Sequence, residues 1–374
     1  MRFALSTEQL DFAAELRKIL DAGQVPAAVR AWSSGDTAPG RSLLRQVADM
    51  GVFGLIVDED HGGAEATPVD LVVALIELGR AAAPGPVIES AAVIPALLQR
   101  LPGVAEHWLS GVASGELLGT IAFEHPGRTV ALDADAADFV LVAGGQLATG
   151  RPDQGHPVAG DDVPAESGSP DVDSVAARTE PTQSGTTAGA GGTGRFDSTG
   201  AIASIDPARK LFPVCADEVV AEGGDAIDFA FDVGVLACAA QLLGAGRAIL
   251  DQTTAYAKQR KQFGRAIGEF QAVKQQLADV RIALDLAEPL LYRAALTLDS
   301  PDRARDVSAA LVACGDAAHR SSRVGLQVHG AIGYTAECDL SLWLTKVAAL
   351  RTAWGTADFH RARIATALRA TAAS

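Results

Sequence analysis

Arg260-Lys261-Gln262-Phe263-Gly264-Arg265-Ala266-Ile267-Gly268-Glu269-Phe270-Gln271 separates two long helical patterns in the carboxy-terminal third of the chain. It follows Tyr256-Ala257-Lys258-Gln259 directly, so Lys258, Arg260, Lys261 and Arg265 cluster at one turn. Such a gathering of cations stands out in a chain of 374 residues with a net charge of −15. Arg260 suits charge-assisted contacts to a phosphate, and Gly264 lets the backbone turn closely around a ligand. The same residues also suit a solvated basic turn between helices, and the segment alone does not choose between the two.

On its amino-terminal side, from Val233 onward, Leu236, Leu243, Ile249 and Leu250 recur at helical steps. On the other side Leu277, Val280, Leu284 and Leu291 do the same. Both patterns suit packed antiparallel helices, and Pro289 is expected to kink or end the second. Farther on, Gln327-Val328-His329-Gly330-Ala331-Ile332-Gly333-Tyr334-Thr335-Ala336-Glu337 offers two glycines for a tight, close-approaching backbone. Gln327 adds a side chain that both donates and accepts.

Toward the amino terminus, Ser6-Thr7-Glu8-Gln9 reads as a capping box, followed by a stripe of Phe12, Leu16, Ile19 and Leu20. Similar runs around Leu43 to Met50 and Pro68 to Ala82 make residues 1–113 an all-helical domain. Between them, Met50-Gly51-Val52-Phe53-Gly54-Leu55-Ile56-Val57 leads into a loop, Asp58-Glu59-Asp60-His61-Gly62-Gly63. There a lone His61 beside acids reads as a solvated loop residue. Residues 114–229 form a β domain, with strands expected at Leu118 to Phe123, Asp138 to Ala143, Leu211 to Val214 and Ala226 to Phe229. Within it, about 150–200 is rich in Gly, Ser, Thr, Pro, Ala and Asp and is expected to be a flexible insertion, because it has too little apolar surface to offset ordering entropy. Residues 230–374 return to helices.

The bulk properties narrow the function classes. A hydrophobic fraction of 48% suits a sizeable core, and no stretch reaches the roughly 18 to 20 uninterrupted apolar residues of a membrane helix. Met1 to Thr7 lacks the apolar region of a secretory signal, and Cys215, Cys238, Cys314 and Cys338 are too widely spaced for a metal finger. A cytoplasmic protein with reduced thiols is expected, and its acidity disfavours nucleic acid and anionic membranes as partners.

In this order, the segments at Arg260 and Gln327 resemble the acyl-CoA dehydrogenase family, whose pattern includes R-x-Q/T-F-G, then F-Q, then Q-x-x-G-G-x-G-Y/F. The loop at Gly51 to Gly63 is similar to the family's G-x-F-G-L … E-x-x-G-G, so the resemblance covers nearly the whole chain. It implies an α+β fold: an amino-terminal helical domain, a small central β barrel and a carboxy-terminal four-helix bundle. It also implies the family's chemistry, in which a carboxylate removes the α-proton of an acyl-CoA and FAD takes the β-hydride. By resemblance, Arg260, Gln262, Phe263 and Gly264, with Gln327, Gly330 and Gly333, contact FAD, largely that of the neighbouring subunit across a dimer interface.

Other positions depart from the family. Counting from Gln327, the usual catalytic glutamate falls at Trp354, in Ala353-Trp354-Gly355-Thr356, and an indole accepts no proton at neutral pH. The earlier position used by some relatives falls at Gly234, and no carboxylate lies between Asp232 and Asp251. Around Phe123-Glu124-His125-Pro126-Gly127-Arg128 the expected T-E-x-x-x-G-S-D lacks its Gly-Ser-Asp. Where a W-I-T-N/S flavin-cradling strand is expected, the insertion begins. The resemblance therefore points to the degenerate subunit of an actinobacterial, steroid-type α2β2 dehydrogenase. In such an assembly a homologous catalytic subunit binds most of the acyl-CoA substrate and FAD is shared at the interface. Two alternatives stand beside it: a homotetrameric enzyme with its base relocated to Glu337 or Asp358, and a flavin-free binding or scaffold protein.

Overall fold

A computed structural model describes residues 4–125, 127–153, 196, 200–335 and 337–373. The first helix, α1 (Thr7–Ala22), starts at the expected capping box. The Gln9 N–H donates to Ser6 Oγ at 3.2 Å, and the Ser6 N–H donates back to Gln9 Oε1 at 3.0 Å. Helices α2 (Val25–Ser33), α3 (Ala38–Asp49) and α4 (Pro68–Arg80) follow. A π-helical turn over Glu89–Val93 then leads into α5 (Ile94–Leu98), and α6 (Pro102–Ala113) completes the layer. Leu16, Trp32, Leu43, Phe53, Leu71 and Leu75 are buried at its centre. His61 closes a short 3₁₀ turn, its Nδ1 2.6 Å from Asp58 Oδ1.

The strands are β1 (Gly119–Phe123), β2 (Val130–Leu132), β3 (Phe139–Ala143), β4 (Gln146–Pro152) and β5 (Leu211–Glu222). They form one sheet in the order β1-β3-β4-β5-β2. The β1–β3 pair is parallel and the other neighbours are antiparallel. β2 returns beside β1, so the sheet closes most of the way round on itself. Most of the low-complexity stretch expected at 150–200 lies outside the described residues; β4 itself runs on through Pro152.

Two expectations for individual segments are corrected. Ala226 to Phe229 is not a strand but the opening of helix α7 (Gly224–Gln259), with Ala226, Ile227, Phe229 and Ala230 buried on it. The four residues Ala226-Ile227-Asp228-Phe229 are too few to tell the alternation of a strand from one turn of a helix. Pro289, expected to kink or end its helix, does not end it: α8 (Gln271–Leu296) continues through it. Pro289 and Asp285, whose carbonyl loses its partner, both sit on the exposed face, where water can replace the missing hydrogen bond.

α9 (Arg303–His329), α10 (Leu340–Ala353) and α11 (Ala357–Ala373) complete the bundle. α7 is long and apolar enough to cross a membrane by length and composition, and 89% of its apolar window is buried among the other helices. α7 and α9 run in the same direction in close contact. Arg303 Nε meets Asp232 near their starts (2.9 Å), Ser321 Oγ donates to the Gly246 carbonyl (2.7 Å) mid-way, and Tyr256 faces His329 at their ends. That shared direction brings the two glycine-bearing segments to the same end of the bundle.

Candidate functional site

The two positions at which the family's glutamate would fall, Gly234 on α7 and Trp354 just after α10, lie against each other. A Cβ placed on Gly234 would stand 2.2 Å from Trp354 Cζ3, so the indole occupies the space a side chain there would need. Trp354 is 5% exposed. Phe123, at the end of β1, approaches its ring edge-on at 5.6 Å, and Phe231 lies at 6.0 Å. The Trp354 carbonyl accepts a hydrogen bond from His360 Nε2 (2.8 Å), which leaves His360 Nδ1 to accept from Ser308 Oγ (3.0 Å). Burial holds the His360 pKa below its ordinary value, so the imidazole is neutral and fixed in one tautomer.

Neither position carries a proton acceptor, and the acids nearby in sequence are engaged or exposed. Asp232, two residues before Gly234, is 1% exposed, and each of its oxygens is taken by a guanidinium: Arg363 at 2.7 Å and Arg303 at 2.9 Å. Asp358 is exposed and pairs with Arg361 at 3.2 Å, and Glu337 is exposed on the turn before α10. A cleft of about 260 Å³ lies elsewhere, between α1, α4, α7 and α10, flanked by the pairs Arg17–Glu77 and Arg80–Asp251. It includes neither Gly234 nor Trp354.

The cationic segment forms a small hairpin, β6 (Lys261–Gln262) and β7 (Arg265–Ala266), at the end of α7. Phe263 and Gly264 make its turn with φ of +51° and +81°, and the Phe263 ring is 92% exposed. A large apolar side chain held out into solvent on a left-handed backbone is uncommon without something to meet. The side chains of Arg260, Gln262 and Gln327 are exposed and make no hydrogen bond or ion pair with the described residues. Arg265 stacks its guanidinium over Phe270 at 4.2 Å.

At the end of α9, Gly330 adopts φ +66° and ψ −144°, a conformation essentially restricted to glycine. A Cβ at Gly264 or Gly330 would have nothing within 4 Å, so both backbones face open space. Gly333 differs: it is packed, and a Cβ there would stand 3.1 Å from that of His329. Tyr256 stacks on His329 with ring centroids 4.2 Å apart and planes 18° apart, joining the two segments. The exposed donors, exposed aromatic and open glycine backbones fit an elongated polyphosphate-bearing cofactor such as FAD.

Sequence reading passed over a buried charged cluster where the three layers meet. Glu89 of the π-helical turn, Asp133, Asp206 and Arg209 of the β layer and Lys346 of α10 are each at most 8% exposed. Lys346 Nζ donates to the Ala83 carbonyl at 2.6 Å. Glu89 Oε2, Asp133 Oδ2 and Trp32 Nε1 are without hydrogen-bond partners among the described residues. Burial pushes the Asp133 carboxyl up to about 7, raises that of Glu89, and lowers the Lys346 ammonium to about 8. A lone acid in Pro86-Val87-Ile88-Glu89-Ser90-Ala91-Ala92-Val93 and a lone Lys in Leu344-Thr345-Lys346-Val347-Ala348 were the signals available.

Two family matches divide the chain at the places its structure does. Residues 6–116 match "Acyl-CoA dehydrogenase, N-terminal domain", and residues 221–369 match "Acyl-CoA dehydrogenase, C-terminal domain". The chain belongs to the acyl-CoA dehydrogenase family. Acyl-CoA dehydrogenase IpdE2 of Mycobacterium tuberculosis is 28% identical over 323 residues, 86% of this chain and 85% of that protein. Among solved structures, a chain of the ChsE4-ChsE5 complex from Mycobacterium tuberculosis matches with a TM-score of 0.75 at 22% identity, covering 99% of both chains. A chain of a variant of the Tcur3481-Tcur3483 steroid acyl-CoA dehydrogenase matches with a TM-score of 0.71 at 22% identity, covering 98% of this chain and 99% of that one. These structural likenesses establish the acyl-CoA dehydrogenase fold, with helical domains either side of the nearly closed sheet.

Proposed function

We propose that this chain is the non-catalytic subunit of a heteromeric, FAD-dependent acyl-CoA dehydrogenase. One observation carries the reading: the indole of Trp354 packed on Gly234 fills the place where either family position would present a carboxylate. Proton abstraction needs an acceptor held within hydrogen-bond reach of the substrate, and in this chain neither position carries one.

A homologous partner supplies the glutamate and most of the acyl-CoA site. This chain's contribution is its exposed end: Arg260, Gln262, Phe263 and Gly264 from the hairpin, with Gln327 and Gly330 at the end of α9, backed by the packed Gly333. When bound, FAD supplies the hydride acceptor. Arg260 neutralises phosphate charge, Gln327 orients a neighbouring polar group, and Phe263 covers an apolar surface from water. The assembly is α2β2, and its substrate is a bulky thioester such as a steroid side-chain CoA. That choice is supported by the likeness to a protein described as a steroid acyl-CoA dehydrogenase and to a two-component complex.

The test is co-expression with a homologous dehydrogenase subunit, followed by subunit counting and flavin absorbance. Two FAD per four chains, bleached by acyl-CoA in the complex and lost on Arg260→Ala, is the expected result. One FAD per subunit in the isolated chain, bleached by acyl-CoA, would overturn it in favour of a self-sufficient enzyme. An assembly that never carries flavin would point instead to a scaffold role.

A further inference from the structure

We infer that Tyr256 and His329 act as a positioning pair that makes the hairpin and the end of α9 into one FAD-binding surface. This rests on the proposed reading of that end of the bundle as a shared flavin site. Neither ring is assigned a contact to the cofactor; both act through residues beside them in the chain.

The geometry places His329 at the meeting of three segments. Its ring lies flat on Tyr256, whose own carbonyl accepts from the Arg260 N–H at 2.9 Å, so the stack is one hydrogen bond away from the arginine backbone. Its Nδ1 is 2.8 Å from the Gly325 carbonyl; a carbonyl only accepts, so Nδ1 carries the proton and the ring is anchored to α9's last turn. Its Cβ supports Gly333, which closes the 3₁₀ turn after Gly330 against the same residue. Gly325 is seated on α7 in turn, since a Cβ there would meet Ile249 at 2.8 Å and Thr253 Oγ1 at 3.1 Å. His329 is 8% exposed.

Arg260 and Gln327 sit on long, flexible side chains at the ends of two different helices. Two such groups bind one extended ligand well only if the helix ends hold a constant separation, because misplacement by about 1 Å forfeits much of the benefit of joint contact. Main-chain hydrogen bonds run within each helix and do not set that separation. The Tyr256–His329 stack bridges it.

The experiment uses the assembled complex with its homologous partner and compares Tyr256→Leu, Tyr256→Phe, His329→Leu and Arg260→Ala. The readouts are FAD titration of the flavin-stripped complex by fluorescence quenching, complex size, and the thermal midpoint without flavin. Tyr256→Leu and His329→Leu are expected to weaken FAD binding about tenfold, the scale of one lost aromatic contact, with assembly and flavin-free midpoint unchanged. Tyr256→Phe keeps the stack and is expected to bind as the native protein does. If both Leu variants bind FAD normally while Arg260→Ala does not, the positioning role is overturned and the site reading stands. Weakening by Tyr256→Phe equal to that by Tyr256→Leu would also overturn it, by assigning the effect to the hydroxyl. Normal binding by Arg260→Ala would overturn the site reading, and the inference with it. Should Tyr256→Leu fail to assemble, His329→Leu carries the same test from the other ring.

Discussion

At the scale of single residues, Trp354 is a packing residue. Its indole is enclosed by Gly234, Phe123 and Phe231, so truncating it leaves a cavity that the rigid ends of α7 and β1 cannot fill. Trp354→Ala is expected to cost about 3–5 kcal/mol in a denaturant titration, and Gly234→Ala about 1–3 kcal/mol through overpacking. Trp354→Glu restores the family's residue type without its surroundings: the carboxylate would be buried among aromatic rings, with Asp232 already committed to Arg303 and Arg363. The variant is expected to be less stable than the native chain and to bleach no flavin when acyl-CoA is added to the chain alone. Bleaching would show that a carboxylate at 354 suffices for catalysis.

Among the elements, the Lys261–Ala266 hairpin projects an apolar side chain into solvent. Phe263 holds φ +51° with its ring 92% exposed, so its side chain contributes little to the fold of this subunit. Phe263→Asn suits the left-handed backbone better, and the isolated chain should keep its stability within about 0.5 kcal/mol. The same change is expected to weaken the complex with the homologous partner, read as the protein concentration at which the assembly dissociates during size-exclusion chromatography. A loss of stability in the isolated chain with unchanged assembly would reverse the assignment. α7 shows the opposite economy: its apolarity, sufficient for a membrane span by composition, is accounted for by the helices packed around it.

For the whole molecule, the buried cluster of Glu89, Asp133, Asp206, Arg209 and Lys346 lies where the three layers meet, set within an apolar core that itself runs through all three. Asp133 keeps its proton in the folded state up to about pH 7, whereas the unfolded chain releases it near the ordinary carboxylate value of about 4. The unfolded state then binds fewer protons than the folded one across that window, so this group's contribution is full below about pH 4 and lost as pH rises through about 7. Lys346 works in the other direction. Its folded value of about 8 lies below the ordinary value near 10.4, so its contribution is present above that value and lost as pH falls through about 8. Asp133→Asn is expected to flatten the decline between about pH 4 and 7, and Lys346→Met the rise between about pH 8 and 10. Denaturant titrations across pH measure both, and slopes unchanged in the variants would remove these groups as the cause.

The local and periodic features were readable from the sequence alone. The Ser6–Gln9 capping box, the stripes of α1 and α8, the strands at Gly119 and Phe139, and the ordered segments at Arg260 and Gln327 depend on near neighbours, whose spacing the chain itself displays. The absence of a carboxylate at 234 and 354 was equally legible as text. Tertiary structure decided what lies side by side. It set Trp354 on Gly234, His329 on Tyr256, and five charges together beneath the surface; it also drew Ala226 to Phe229 into a helix. Those pairings join residues tens to hundreds of positions apart, and no repeat or spacing along a chain encodes a contact that arises only when separate elements pack into one volume.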